Sequence, residues 1–236
     1  MMLKAFMVAL LAFASLSAAW ADDDLAPGKI LVADRKLKDP NFERSVIYLI
    51  TYDEKGAVGL ILNRQTDTPV GKILSGVKGG AGRKDFAFSG GPVETDSILA
   101  LYRGAPKGKG AQRVSAEISA ILDETALADA LAAPDGDRGA LRFYLGYAGW
   151  GPGQLDAEID AGGWYVIGGD AKMVFDDQPE TLWDRLIRRK DQQVALSSPT
   201  RDLLTFISSL AHGTKLHPAH GIAGNVPAFR RFQLSL

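Results

Sequence analysis

An α+β domain is what this sequence predicts, and two observations carry that prediction. Short apolar, partly β-branched runs alternate irregularly with helical segments, without the regular strand–helix–strand order of a doubly wound sheet. The runs Val46–Ile50 and Val58–Leu62 flank the turn-forming Tyr52-Asp53-Glu54-Lys55-Gly56, so they read as a β-hairpin. Both are nearly continuous in hydrophobicity, which marks strands covered on both faces.

From the N-terminus, residues 1–21 read as a secretory signal peptide. Lys4 supplies the positive charge, Ala5–Ala14 is an unbroken apolar run, and Ala19-Trp20-Ala21 fits a small-x-small cleavage site ahead of Asp22-Asp23-Asp24. The run is about half of the roughly 20 apolar residues that a spanning helix needs. The expectation is cleavage near Ala21, a periplasmic location, and a single domain over 22–236 without a membrane anchor. The absence of cysteine excludes a lipid-modified N-terminus, disulfides and thiol chemistry together.

Ile30–Ala33 is a short buried strand, and Asp39-Pro40-Asn41 is a turn set by local side-chain bonding and the fixed proline backbone. The hairpin follows. Residues 71–85, rich in Gly and Lys, read as a loop, then Phe86–Phe88 as a strand running into Ser89-Gly90-Gly91-Pro92-Val93. Residues 103–112 read as a second exposed loop. Asp123 caps a helix from Glu124 to about Ala132, stopped by Pro134-Asp135-Gly136. Leu141–Tyr147 is a strand, and a short helix over 152–161 takes Pro152 at its first position and Gly162 past its end. In that helix Leu155 and Ile159 share one face, and Gln154 and Glu158 another. Trp164–Ile167 returns to strand. Asp176, Asp177 and Pro179 open a helix that Arg188-Arg189-Lys190 closes with charges matched to its dipole. Ser198-Pro199 opens a last helix.

The chemistry-bearing patterns are mostly absent. There is no nucleophile elbow, phosphate-binding lysine loop or paired-histidine metalloprotease helix. Gly149-Trp150-Gly151-Pro152-Gly153 precedes a helix but lacks the third glycine of a dinucleotide loop, and Pro152 removes an N–H. His212, His217 and His220 have no neighbouring carboxylate or cysteine to complete a ligand set, so they read as a surface loop and no metal is expected. With 27 basic and 28 acidic residues, the chain has no cationic excess for nucleic acid.

Four stretches read together carry a resemblance. They are Asp39-Pro40-Asn41-Phe42-Glu43-Arg44-Ser45 with its following strand, 56–64, Gly90-Gly91-Pro92-Val93, and 146–155, with Glu158 and Trp164 beyond. In order and spacing the chain resembles the AlgH/YqgE family of bacterial proteins over about 28–189, and it leaves the pattern from about 192 to 236. The resemblance implies an α+β domain with a mixed, partly barrel-like β-sheet surrounded by helices. It implies no catalytic residues, although some members are labelled transcriptional regulators. Relatives often carry histidine where this chain has Tyr52 and Tyr102. They typically lack a leader, and an exported copy is out of reach of DNA.

Three functional readings follow. The first is a non-catalytic binding or interaction protein of the periplasm, without cofactor, whose ligand is an unknown protein or small molecule. Its candidate residues are Arg44, Ser45, Asn63, Gly90, Gly91, Gln154 and Glu158, with the two glycines offering backbone N–H groups. A structural role competes for Arg44, Asn63 and Glu158, as an ion pair or turn-fixing hydrogen bonds, and it is the preferred reading of those three. The alternative is a hydrolase or other small-molecule enzyme using Glu158 or Asp39. The third is a transcriptional regulator.

Overall fold

The computed structural model describes residues 24–104, 110–131 and 141–194. The expected signal peptide, the Pro134-Asp135-Gly136 stop, the helix opened by Ser198-Pro199 and the three histidines lie outside the described residues. The chain divides into two units, 1–191 and 192–236, and the sheet lies in the first.

The elements run β1 (Lys29–Ala33), β2 (Val46–Asp53), β3 (Gly56–Ile61), β4 (Gln65–Pro69), α1 (Val70–Ile73), β5 (Phe86–Ser89), β6 (Val93–Arg103), β7 (Ala111–Arg113), β8 (Ile118–Ile121), α2 (Glu124–Leu131), β9 (Leu141–Trp150), α3 (Gln154–Asp160), β10 (Trp164–Gly168) and α4 (Ala171–Val174). A 3-10 turn at Pro179–Thr181 leads into α5, which starts at residue 182. The strands form one sheet in the order β10-β1-β2-β3-β9-β6-β8-β7, and β4 joins it through β5. Among the described pairings only β5 with β9 is parallel. The architecture is the expected α+β domain, a curled half-barrel sheet with several helices.

The predicted hairpin is β2–β3, with Ile47 opposite Ile61 and a bulge between Leu49 and Thr51. The first five residues of β2 are buried, so the uninterrupted apolar run reports a strand with no solvent face. β9 lies at the centre and divides its side chains between two cores. Tyr144, Ala148 and Trp150 join β1, β2, β3, β10 and α5 residues, while Leu141 and Phe143 pack with Val70, Ile121 and Leu127. That division is the period-two alternation of a strand between two apolar layers.

Three local expectations need correction. Residues 71–85 do not form a plain loop, because α1 takes 70–73 and is held by Val70 N–H donating to Asp85 O at 2.9 Å. The 103–112 segment is not all loop either, because Arg103 ends β6 and Ala111 opens β7. Helix α3 starts at Gln154 rather than Pro152, since Gly153 takes φ 69° and breaks the helical path before it. The Asp123 cap is present, its Oδ1 accepting from Ala126 N–H at 2.9 Å.

Candidate functional site

The loop of residues 39–45 is built before it is used. Asp39 Oδ1 accepts from Asn41 N–H at 2.8 Å, and Asp39 O accepts from Phe42 and Glu43 N–H at 2.9 and 2.7 Å. Arg64 reaches across to donate to Asn41 O at 2.6 Å and Glu43 O at 3.1 Å. Burial draws the Arg64 guanidinium below its ordinary titration range, against the opposing charge of Asp39. Asn63 Oδ1 accepts from Val46 N–H at 2.8 Å, and its Nδ2 donates to Arg44 O at 2.9 Å. Ser45 is fully buried and its hydroxyl donates to Phe42 O at 2.8 Å. Ser45 and Asn63 therefore hold the loop, and their side chains point into it rather than out.

Arg44 differs from its neighbours. Its backbone sits at φ 56°, a left-handed conformation unusual for a non-glycine residue. Its guanidinium lies 4.6 Å from the ring centre of Trp183 and pairs with Asp184 at 2.8 Å. Trp183 is fixed from behind by its Nε1 donating to Ala33 O at 2.8 Å. Arg44, Trp183 and Asp184, with Asp34, Arg35, Glu43, Ile187 and Arg188, line a cleft of about 490 Å³. Asp34 accepts from the Tyr165 hydroxyl, and Lys190 Nζ stands over the Tyr165 ring. Burial pushes Asp34 up, but that hydroxyl, the Lys36 N–H and Lys190 together leave it below the usual carboxylate value. Arg35 pairs with Asp191 at 2.8 Å, and this bond holds Asp191 low as well.

Gln154 and Glu158 meet as the helical spacing implied, with Nε2 donating to Glu158 Oε1 at 3.0 Å. The other carboxylate oxygen accepts from both Trp150 and Trp164 Nε1, at 3.0 and 2.8 Å. Gln154 Oε1 accepts from Gly151 N–H at 3.1 Å. Phe42 stacks on Trp150 and meets Trp164 edge-on, each at 5.8 Å, so the 39–45 loop and the α3 motif touch through an aromatic cluster. At Tyr52 the hydroxyl donates to Asp156 at 2.6 Å.

Gly90 and Gly91 do not join either group. Gly90 N–H is already used, donating to Leu145 O at 2.8 Å, so it is not offered to a ligand. A Cβ on Gly90 would fall 2.2 Å from Gly146 O, which makes close packing against β9 the reason for glycine there.

A family model described as AlgH-like, DUF179, matches residues 30–195. The chain belongs to this AlgH-like family. Within it, a UPF0301 protein of Streptomyces coelicolor is 42% identical over 175 residues, spanning 72% of this chain and 89% of its own. A UPF0301 protein of Chlorobaculum tepidum is 34% identical over 166 residues, spanning 70% and 87%. The solution structure of the AlgH protein from Pseudomonas aeruginosa matches this AlgH-like chain with a TM-score of 0.54 at 25% identity, covering 81% of this chain and 95% of that one. A crystal structure from Corynebacterium diphtheriae gives a TM-score of 0.57 at 24% identity, over 70% and 87%.

Sequence reasoning missed that Trp183, Asp184 and Arg188 share the lining of the AlgH-like cleft with Arg44, Asp184 lying 140 residues beyond it. The available signal was slight: a tryptophan and an acid near the start of the helix whose terminal charges were read as matched to its dipole. Among the described residues no three His, Asp or Glu side chains converge as a metal site.

Proposed function

We propose that this AlgH-like protein is a non-catalytic binding protein of the periplasm, and that its ligand docks in the cleft under Arg44. One observation carries the reading. A non-glycine residue is kept in a left-handed backbone conformation, and its guanidinium is laid across a buried indole in the lining of a cleft. Such a conformation costs about 1–3 kcal/mol and persists where the surroundings over-determine it, commonly at ligand clamps. Stacking fixes the guanidinium plane, and the Arg44 side chain stays 58% exposed where it lines the cleft. The lining balances Arg35, Arg44 and Arg188 against Asp34, Glu43 and Asp184, which suits a polar ligand of mixed charge better than a polyanion.

Carboxylate catalysis has weaker support. Glu158 has both oxygens committed to three donors, and Asp39 is the cap of its own turn. The carboxylates with displaced titration, Asp34, Asp176 and Asp191, all lie low, whereas a general acid working near neutrality needs a raised value.

Thermal unfolding of the purified protein with a panel of amino acids, dipeptides, sugar phosphates and nucleotides tests the binding reading. The expected result is a stabilising ligand whose shift disappears in Arg44→Ala and Arg188→Ala. A ligand indifferent to both variants, or a turnover abolished by Glu158→Gln in a folded protein, would overturn it. The periplasmic part rests on the leader-like sequence pattern of residues 1–21. Cell fractionation with intact-mass measurement should recover a chain beginning at Asp22 from the periplasm, and full-length cytoplasmic protein would contradict it.

A further inference from the structure

The second depression in the domain is chemically unlike the first. It holds about 350 Å³, and its floor is aliphatic: Ile73 of α1, Val77 just after it, Ile98 of β6, Ile121 of β8 and Leu127 of α2. Ile73, Val77 and Ile98 remain half-buried, and Leu122 beside them is 44% exposed. Among the described large hydrophobics of this unit, only Phe86 and Leu122 are exposed. Covering such surface is favourable in proportion to the apolar area removed from water, so the floor favours an apolar occupant.

The rim narrows the choice. Among the described residues Asp96, Asp123 and Glu124 line it, and no described lysine or arginine does. Lys72 and Lys78 lie on the same segment as Ile73 and Val77 but are not part of the lining. Asp123 spends Oδ1 on the N-cap of α2, and with Glu124 it offsets the positive end of that helix. Asp96, out on β6, has no such local role. Two copies of this face brought together would set three carboxylates against three, and an anionic lipid surface would be repelled in the same way. Carboxylates around an aliphatic floor complement apolar side chains flanked by cations.

We propose that this groove is a docking surface for a partner protein's segment that presents aliphatic or aromatic side chains between lysines or arginines, in the manner of a helix laid in a groove. The site is independent of the Arg44 cleft.

The probe is a fluorescein-labelled amphipathic peptide of leucine and lysine, followed by fluorescence anisotropy with the full chain. A peptide with glutamate in place of every lysine serves as the control. The leucine–lysine peptide should bind the wild type and the glutamate peptide should not. Affinity should fall about tenfold in Asp96→Asn/Glu124→Gln, and about tenfold between low and high salt. Val77→Ser should weaken binding through the floor, and Arg44→Ala should leave it unchanged. Absence of binding, equal binding of the glutamate peptide, or affinity indifferent to the carboxylate pair would overturn the proposal. The carboxylate variant changes only exposed side chains, so it decides the question even where Val77→Ser unfolds.

Discussion

Trp164 Nε1 donates a hydrogen bond of 2.8 Å to Glu158 Oε2, joining the first residue of β10 to the middle of α3. Trp150 donates to the same oxygen at 3.0 Å, so one carboxylate ties α3 to the ends of two strands. Both indoles are nearly buried, at 5% and 3% exposure, and Phe42 packs against both rings. Glu158 thus anchors the aromatic floor on which the 39–45 loop rests.

Replacing Glu158 should reveal that anchoring role. In Glu158→Gln one amide oxygen can still accept from the indoles, so the loss should be about 1–2 kcal/mol. Glu158→Leu leaves two buried N–H groups unpaired and should cost about 3 kcal/mol or more. Urea unfolding of both variants measures the difference, and equal losses would argue against the shared-oxygen arrangement.

Gly90→Ala should be among the most damaging small substitutions in the domain. Its Cβ would lie 2.2 Å from Gly146 O and 2.9 Å from Leu60 Cδ2, where neither β9 nor the core can yield cheaply. A loss of about 3 kcal/mol or more is expected. Gly82→Ala, where a Cβ meets nothing within 4 Å, should change stability little. A tolerated Gly90→Ala would mean that the glycine is kept for another reason.

Arg44 separates backbone strain from side-chain contact. At φ 56° a glycine removes the strain and an alanine keeps it. Both lose the stacking on Trp183 and the pair with Asp184. Arg44→Gly should therefore be about 1 kcal/mol more stable than Arg44→Ala. The opposite order in thermal or chemical unfolding would contradict the left-handed conformation.

Alkaline stability should depend on Tyr165. Burial first, then the bond to Asp34, push its phenol from 10.0 up to about 12. The folded state thus keeps the proton longer than the unfolded chain does. Its contribution is complete below pH 10 and is lost as pH rises through the folded value of about 12. Unfolding followed across that window should show a decline that Tyr165→Phe lessens, and an identical decline in the variant would refute the assignment.

The parts legible in the sequence were those written in continuous apolar runs or fixed spacings. β2 and β3 announced themselves because both faces are covered, and Gln154 and Glu158 met because four residues make one helical turn. β4 was not read, since Gln65-Thr66-Asp67-Thr68-Pro69 is polar and partly exposed, and its strand state comes from pairing with β5. β6 hid for a similar reason: its first half, Val93–Ser97, is polar and largely open to solvent. At the site, a turn-fixing role was already the preferred reading of Asn63, whereas the inward, loop-fixing role of Ser45 depended on where Phe42 O lies. Trp183 beneath Arg44 is a product of tertiary packing alone, which no local spacing records.

The most direct test of the Arg44 cleft is an NMR titration that follows the indole N–H signals of Trp150, Trp164 and Trp183 as stabilising ligands are added. Trp183 forms the cleft wall, while the other two are locked onto Glu158. Binding in the cleft predicts a saturable shift of the Trp183 signal, nearly still Trp150 and Trp164 signals, and loss of the response in Arg44→Ala. Shifts confined to Trp150 and Trp164, or a Trp183 response that survives Arg44→Ala, would contradict it.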